Sequence, residues 1–248
     1  MLSRRHIRLK VMQSLYAYFS SNEKDVCIAE QKMLKHIQEV QELYLVIISL
    51  IIELVKYSDN FFEQSKRKHF PSEDDLNPNR RFIDNKIIKL IMSNKALMDE
   101  IKNVSSIWLN NDHNIISKLF KELYKSDLYK GYISNEDMSI AVDQRFITNS
   151  LHDCILNNQL VHHIFEERSI YWLDDLPFVV AVILGDIKLK NDMSSRTVFK
   201  NLSDKKFAVQ LLRSTINNSQ EYEKIIIRFA KNWELDRIAI MDQLFLKM

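Results

Sequence analysis

The residues best suited to chemistry lie at the very start of the chain. Four fixed cations stand within the first ten residues, at Arg4, Arg5, Arg8 and Lys10. His6 adds a fifth positive charge when protonated, and no acidic residue occurs before Glu23. The whole chain has 35 basic and 33 acidic side chains, so this block departs strongly from the average. Such a concentration of positive charge indicates a surface that binds phosphate groups. The alternative interpretation is a solvated, frayed N-terminus.

An amphipathic helix is expected to carry these cations. Ser3 is a good N-cap, and apolar residues then recur at helical spacing, at Leu9, Met12, Tyr16 and Phe19. Val11, Leu15 and Tyr18 widen this stripe towards a core. Continued backwards, the same buried sector would contain the three arginines, but unpaired guanidinium groups are not buried. We therefore expect the basic turn either to overhang the packed body or to precede the helix as a short arm.

The composition predicts an all-α protein. The 248 residues include two glycines and three prolines, which are too few for the turns of β-structure. Gly131 and Gly185 alone cannot form a phosphate-binding Walker loop or a dinucleotide fingerprint. Cys27 and Cys154 have no metal-ligand spacing and fit a reducing compartment. With no recognisable signal peptide and no apolar run of about 20 residues, a cytoplasmic protein without a membrane segment is expected.

Helical periodicity extends over most of the chain and suggests two packed helical bundles with an enlarged middle. We place the first bundle at residues 1–135 and the second at 136–248. Helices are predicted near residues 3–20, 26–63, 85–107, 115–125, 136–157, 159–167, 176–189, 204–217, 219–230 and 236–248. Breaks are expected at 66–81, around Gly131, and at 190–203. The last apolar stripe runs to Met248 without a cap, which suggests a fragment of a longer protein.

No persuasive catalytic or metal site is visible. His152-Asp153 is the dipeptide of HD-type metal-dependent hydrolases, and His162, His163 and Glu166 are candidates for further ligands. The alternative is that these are surface or partly buried polar residues. A metal site needs several convergent ligands, and the remaining spacing matches no known pattern. We therefore predict no catalytic residues, no metal and no cofactor, with an HD-type hydrolase kept as an alternative.

Three segments resemble the NusB transcription antitermination family. The first is the N-terminal segment, which consists of Arg4–Arg8 (RRHIR) followed by Val11–Tyr16 (VMQSLY). The second is Asn232–Met248 (NWELDRIAIMDQLFLKM) at the other end, and the third lies between them. Ser169–Leu176 (SIYWLDDL) is similar to the long-insert, Bacteroidetes-like form of the family. The middle of the chain is longer than in compact members, and the closing segment of the family is absent.

The resemblance implies a fold of two helical bundles and a non-catalytic RNA-binding function. It implies binding of a boxA-type single-stranded RNA, together with a small-subunit ribosomal protein (NusE), within the RNA polymerase antitermination complex. By position, the RNA-contacting residues of the family correspond to Arg4, Arg5, His6, Arg8 and Tyr16. We add Lys10 and Gln13, which are expected on the exposed face of the same helix. Tyr16 could stack an RNA base, although aromatic residues at helical spacing are also typical of a core.

Two further interpretations stay open. The chain could be the RNA-binding domain of an rRNA cytosine methyltransferase, whose glycine-rich cofactor loop would have to lie in a C-terminal extension. It could also be a purely structural helical adaptor, which RNA binding would exclude.

Overall fold

The computed structural model describes residues 1–22, 24–109, 114–189, 197–230 and 237–248. Helices and the turns between them account for these residues, and no strand occurs among them. The predicted all-α class is therefore confirmed. None of the helices in the described ranges combines the length and the apolar character that a bilayer crossing requires.

Fourteen α-helices and one π-helical turn form the described part of the chain. The helices are α1 (Arg4–Ser20), α2 (Val26–Ser65), α3 (Glu73–Leu76), α4 (Lys86–Ser93), α5 (Lys95–Val104), α6 (Ser106–Leu109), α7 (Ile115–Lys125), α8 (Asp127–Ser134), α9 (Ile140–Leu151), α10 (Gln159–Arg168), α11 (Trp172–Leu189), α12 (Leu202–Asn217), α13 (Ser219–Phe229) and α14 (Ile240–Lys247), with the π-helical turn at His152–Leu156.

Short polar side chains set the starts of many helices. Ser3, Asn85, Ser126, Ser139, Asn158 and Asn201 each accept a hydrogen bond from a backbone N–H in the first turn that follows. These N–H groups have no partner within their own helix, so each cap stabilises its helix by about 1 kcal/mol. Serine and asparagine thus supply the N-caps of these helices.

The chain divides into two compact units. The first unit contains residues 1–41 and 197–248, and the second contains residues 42–196. This partition differs from the two bundles predicted from the sequence, with their boundary between residues 135 and 136. That boundary stays a prediction. The first unit joins the two ends of the chain, so residues about 200 positions apart can share one surface.

In the first unit, α1 packs along α12 and α14, and α13 connects these two helices. The buried residues of α1 include Ile7, Val11 and Leu15, each with no exposed surface. On α12, Ala208 and Leu212 are equally buried. Burial of such side chains stabilises the unit by roughly 1.5–3 kcal/mol for each large aliphatic residue. The start of α1 is thereby held against α12.

In the second unit, aromatic rings form much of the core. Phe82 contacts Phe120, Tyr129 and Phe146, with ring centroids 5.7–6.5 Å apart. Beside them, Tyr132 stacks on Phe146 at 3.9 Å. The Tyr132 hydroxyl donates to the Asp143 carboxylate at 2.8 Å. Burial and this carboxylate raise the pKa of Tyr132.

Three local predictions differ from the structure. The break expected around Gly131 is wrong, because α8 runs through it with its N-terminus capped by Ser126. The single helix predicted at 85–107 is divided at Asn94, whose side chain caps α5. The loop predicted at 66–81 contains the short α3, which begins with a capping box. Residues 190–196 of the next predicted break and 232–236 of the C-terminal resemblance lie outside the described residues.

Candidate nucleic-acid interface

The basic residues belong to the first turns of a firmly anchored helix. Helix α1 begins at Arg4, and Ser3 Oγ accepts from the His6 backbone N–H at 3.4 Å. Two backbone bonds hold the residues ahead of the helix: Leu2 N–H donates to the Val198 carbonyl and the N-terminal ammonium donates to the Thr197 carbonyl, both at 2.9 Å. The cations therefore overhang the packed body as part of the helix, and the short-arm alternative is wrong.

The buried face of α1 includes Val11, Met12 and Leu15 of the predicted stripe, but Leu9 and Tyr16 do not belong to it. Leu9 and Tyr16 are each 44% exposed, whereas Ile7, Val11 and Leu15 are fully buried. At 100° per residue, this change of face places Arg5, Leu9 and Tyr16 within about 40° of one another on the solvent side. An aromatic ring and a guanidinium thus share one exposed face of the helix.

Arg4 makes an ion pair that leaves most of its side chain in solvent. Its Nε donates to Asp204 Oδ1 at 3.2 Å, while 57% of the Arg4 side chain remains exposed. Its guanidinium also lies 5.1 Å from the ring centroid of Phe207. Asp204 engages Arg4 through Nε, and no second carboxylate of the described residues pairs with this guanidinium. Its two outer nitrogens therefore remain available to an anion.

Arg5 and Arg8 are more available than Arg4. Both are exposed, and neither has an ion pair with any carboxylate in the described part of the chain. Arg8 lies over the same Phe207 ring as Arg4, at 5.3 Å from the centroid. One aromatic side chain of α12 thus supports two guanidinium groups of α1, an arrangement in which each contact is worth about 0.5–1 kcal/mol.

His6 is a weaker cation than its neighbours. Partial burial, followed by the nearby Arg5 guanidinium, lowers the pKa of His6 below its ordinary value of 6.5. Its Nδ1 lies 2.7 Å from Ser3 Oγ, which can donate to the neutral ring. Protonation of the imidazole is therefore disfavoured in the free protein, and the fixed positive charge comes from the arginines.

The exposed position predicted for Lys10 is wrong. Only 3% of Lys10 is exposed, because it falls on the buried side of α1 together with Ser14. Ser14 Oγ donates to the Lys10 carbonyl at 2.9 Å, one turn back along the helix. Gln13, the other residue assigned to the exposed face, is partly buried. We therefore leave Lys10 out of the interface.

Sequence reasoning missed Phe207, the residue of α12 that lies against Arg4 and Arg8, and the exposed lysines near it in sequence. Lys200 and Lys206 are exposed and Phe207 is half-buried. Lysines beside a phenylalanine at the start of a helix are common in sequences, and nothing in the pattern relates residue 206 to residue 4. The only usable signal was the local run Lys205-Lys206-Phe207, a basic pair followed by an aromatic residue.

The residues named for a hydrolase site do not assemble one. His152 Nδ1 and Asp153 Oδ1 are 3.5 Å apart on the exposed π-helical turn, and His163 instead approaches Glu167 at 3.4 Å. Across the described ranges, no three histidine, cysteine, aspartate or glutamate side chains converge as a metal site would require. The HD-type alternative thus finds no ligand set in this part of the chain.

The structure defines an all-α protein whose first helix has an exposed cationic edge. Comparison with known proteins adds nothing to this description. No protein-family model matches the chain, and neither a curated protein nor a solved structure matches it significantly.

Proposed function

We propose that this protein is a non-catalytic RNA-binding factor of the NusB antitermination type. Its ligand would be a boxA-type single-stranded RNA, bound at the start of α1. The single observation that carries the proposal is the exposure of the Arg4, Arg5 and Arg8 guanidinium groups on a helix turn that is anchored at both sides. The partner and complex follow from the sequence resemblance: a small-subunit ribosomal protein and the RNA polymerase antitermination machinery of the cytoplasm.

The physical basis is neutralisation of backbone phosphates by preorganised cations. Each phosphate contact releases condensed counterions, so log K for a single strand falls with log salt by about 0.7 for each contact. Arginine suits this role because its planar guanidinium binds phosphate oxygens in pairs and keeps its charge at every relevant pH.

Tyr16 is proposed to bind a base. Its ring is 44% exposed and lies on the same face as Arg5, eleven residues further along α1. At 1.5 Å per residue, the two positions are about 16 Å apart along the helix axis. A strand whose phosphates contact the arginines could therefore extend along α1 and stack an unpaired base on the tyrosine, which is worth about 1–3 kcal/mol.

A salt titration of RNA binding tests this proposal. The double variant Arg5→Ala/Arg8→Ala should lower affinity about 25-fold at 0.1 M salt and reduce the slope of log K against log salt by about 1.4, because two contacts are lost. The probe is a boxA-type single-stranded RNA, compared with a duplex of equal length.

A matched control removes the same charge elsewhere on the first unit. Lys32 and Lys35 are exposed on α2, and Lys32 lies beside Ala17, Tyr18 and Ser21 near the far end of α1. The variant Lys32→Ala/Lys35→Ala should bind RNA with an affinity within about twofold of wild type. Its slope of log K against log salt should differ from wild type by less than about 0.3. Equal losses in the two double variants would reject a specific site at the start of α1.

A further inference from the structure

We infer that the RNA-binding surface continues from α1 onto the segment that leads into α12. There, Lys200 and Lys206 bind backbone phosphates, and Phe207 holds Arg4 and Arg8 towards the strand. This inference rests on the proposed function, whose ligand it shares.

Lys200 is placed beside the basic turn by backbone pairing. Residues Thr197 and Val198 accept hydrogen bonds from Met1 and Leu2, both at 2.9 Å. Lys200 follows two positions later and is exposed, with no carboxylate of the described residues at ion-pair distance. A cation almost 200 residues away in sequence therefore lies near the start of α1.

Lys206 is directed to the same side by the geometry of α12. Asp204 and Ala208 are buried and define the inner face of that helix, and Phe207 meets the arginines at one flank of it. Lys206 is 100° around the helix from Phe207, on the solvent side of that flank. Lys205, although adjacent in sequence, is about 160° from Phe207 on the opposite flank.

Phe207 acts as a positioning residue. Both guanidinium groups lie within 5.3 Å of its ring centroid, so their long side chains are restrained before any ligand arrives. Restraint of this kind reduces the conformational entropy that binding would otherwise cost. Phe207 thereby raises affinity without contributing a charge.

The charge balance favours an extended polyanion over a single small anion. Five cations on α1, on α12 and just ahead of α12 are exposed, and among them Arg4 alone pairs with a carboxylate of the described residues, that of Asp204; the five are Arg4, Arg5, Arg8, Lys200 and Lys206. These cations lie along two helices, a spread that one phosphate could not bridge. The exposed Tyr16 ring in line with them favours RNA over an acidic peptide.

The experiment compares neighbouring lysines in the same salt titration. Lys200→Gln/Lys206→Gln should bind the boxA-type RNA about 25-fold more weakly at 0.1 M salt, with a slope reduced by about 1.4. Lys206→Gln alone should lose about fivefold, whereas the control Lys205→Gln should change affinity less than about twofold. Equal effects of Lys205→Gln and Lys206→Gln would overturn the assignment of the flank.

Phe207 is tested by a different readout. Phe207→Leu should weaken RNA binding about three- to fivefold while leaving the salt slope unchanged, and Phe207→Tyr should restore wild-type affinity because it keeps the ring. Thermal melts monitored by circular dichroism show whether each variant is folded. A slope that changes with Phe207→Leu, or a failure of Phe207→Tyr to restore binding, contradicts the positioning role.

The outcomes separate the two proposals. Loss of binding in Arg5→Ala/Arg8→Ala with none in Lys200→Gln/Lys206→Gln leaves the proposed function intact and rejects this extension. Absence of RNA binding by the wild-type chain rejects both. Displacement of RNA by poly-glutamate of equal charge, at equal concentration, would show an unspecific polyanion surface and would also reject the extension.

Discussion

Replacing Asp204 with asparagine should strengthen RNA binding, although it removes an ion pair. Asp204 is 8% exposed in its side chain and accepts from Arg4 Nε at 3.2 Å, while Arg4 is 57% exposed. A phosphate that approaches Arg4 therefore meets a carboxylate that already attracts the same guanidinium. The substitution Asp204→Asn would keep the shape of the side chain and one oxygen as an acceptor, but it would remove the competing charge.

The structure sets the size of the effect. An ion pair with one largely exposed partner is worth about 0.2–1 kcal/mol, and this is the interaction with which RNA competes. Release of that competition corresponds to about 1.5- to fivefold tighter binding, with the salt slope becoming steeper by up to about 0.7 if Arg4 gains a phosphate. Asp204 also provides the acidic charge in the first turn of α12, so the free energy of unfolding should fall by about 1 kcal/mol.

The assay is the same salt titration, with denaturant unfolding of the same samples. Glu30→Gln is the matched control, because Glu30 accepts from Arg213 Nε at 2.6 Å and Arg213 is 52% exposed. It removes one acidic charge and releases one arginine on the same unit, away from the basic turn. If Asp204→Asn binds RNA no more tightly than Glu30→Gln, or more weakly than wild type, the argument that Asp204 competes with phosphate is refuted.

Three further predictions concern stability and pH. Tyr132→Phe should lower the free energy of unfolding by about 1–3 kcal/mol, because it removes the hydroxyl that donates to the buried Asp143 carboxylate at 2.8 Å. Denaturant titrations measure this change, and an unchanged unfolding midpoint would contradict the prediction. Gly131→Ala should stabilise the protein by about 1 kcal/mol, since position 131 is inside α8 and a new Cβ meets no atom within 4 Å; a lower melting temperature would show an unrecognised constraint. The pKa of His6 is lower in the folded protein than its ordinary 6.5, so its contribution to stability is present above pH 6.5 and is lost as the pH falls below it. The pH dependence of unfolding between about pH 7 and 5 should therefore be shallower in His6→Gln than in wild type.

Local chemistry predicted several helix boundaries correctly. Ser3 caps α1 as its residue type suggested, and α7 spans Ile115–Lys125 as the periodicity predicted. At α1 the boundary is decided by a side chain within one turn of the helix end, because Ser3 caps the His6 backbone N–H. The failure at Gly131 has a tertiary cause, because Tyr129 and Tyr132 on either side are buried and their packing outweighs about 1 kcal/mol of unfavourable glycine propensity.

The candidate site was predicted in part. The charge of Arg4, Arg5 and Arg8 and its exposure could be anticipated, since unpaired guanidinium groups are too costly to bury. Which face of α1 is buried could not be anticipated, because Leu9 and Ile7 are both apolar. The sequence does not show which of the two is covered by α12 and α14. Lys10 became buried as a consequence of that choice.

The sequence by itself determined the class of fold, several helix starts and the block of positive charge at the N-terminus, because these depend on residue type and on neighbours within a few positions. Only the tertiary structure decided what surrounds that charge. Packing of α12 against α1 brings Asp204 and Phe207 to arginines about 200 positions earlier. No local pattern records such a contact, since it arises from the burial of Ile7, Val11 and Leu212 in a common core.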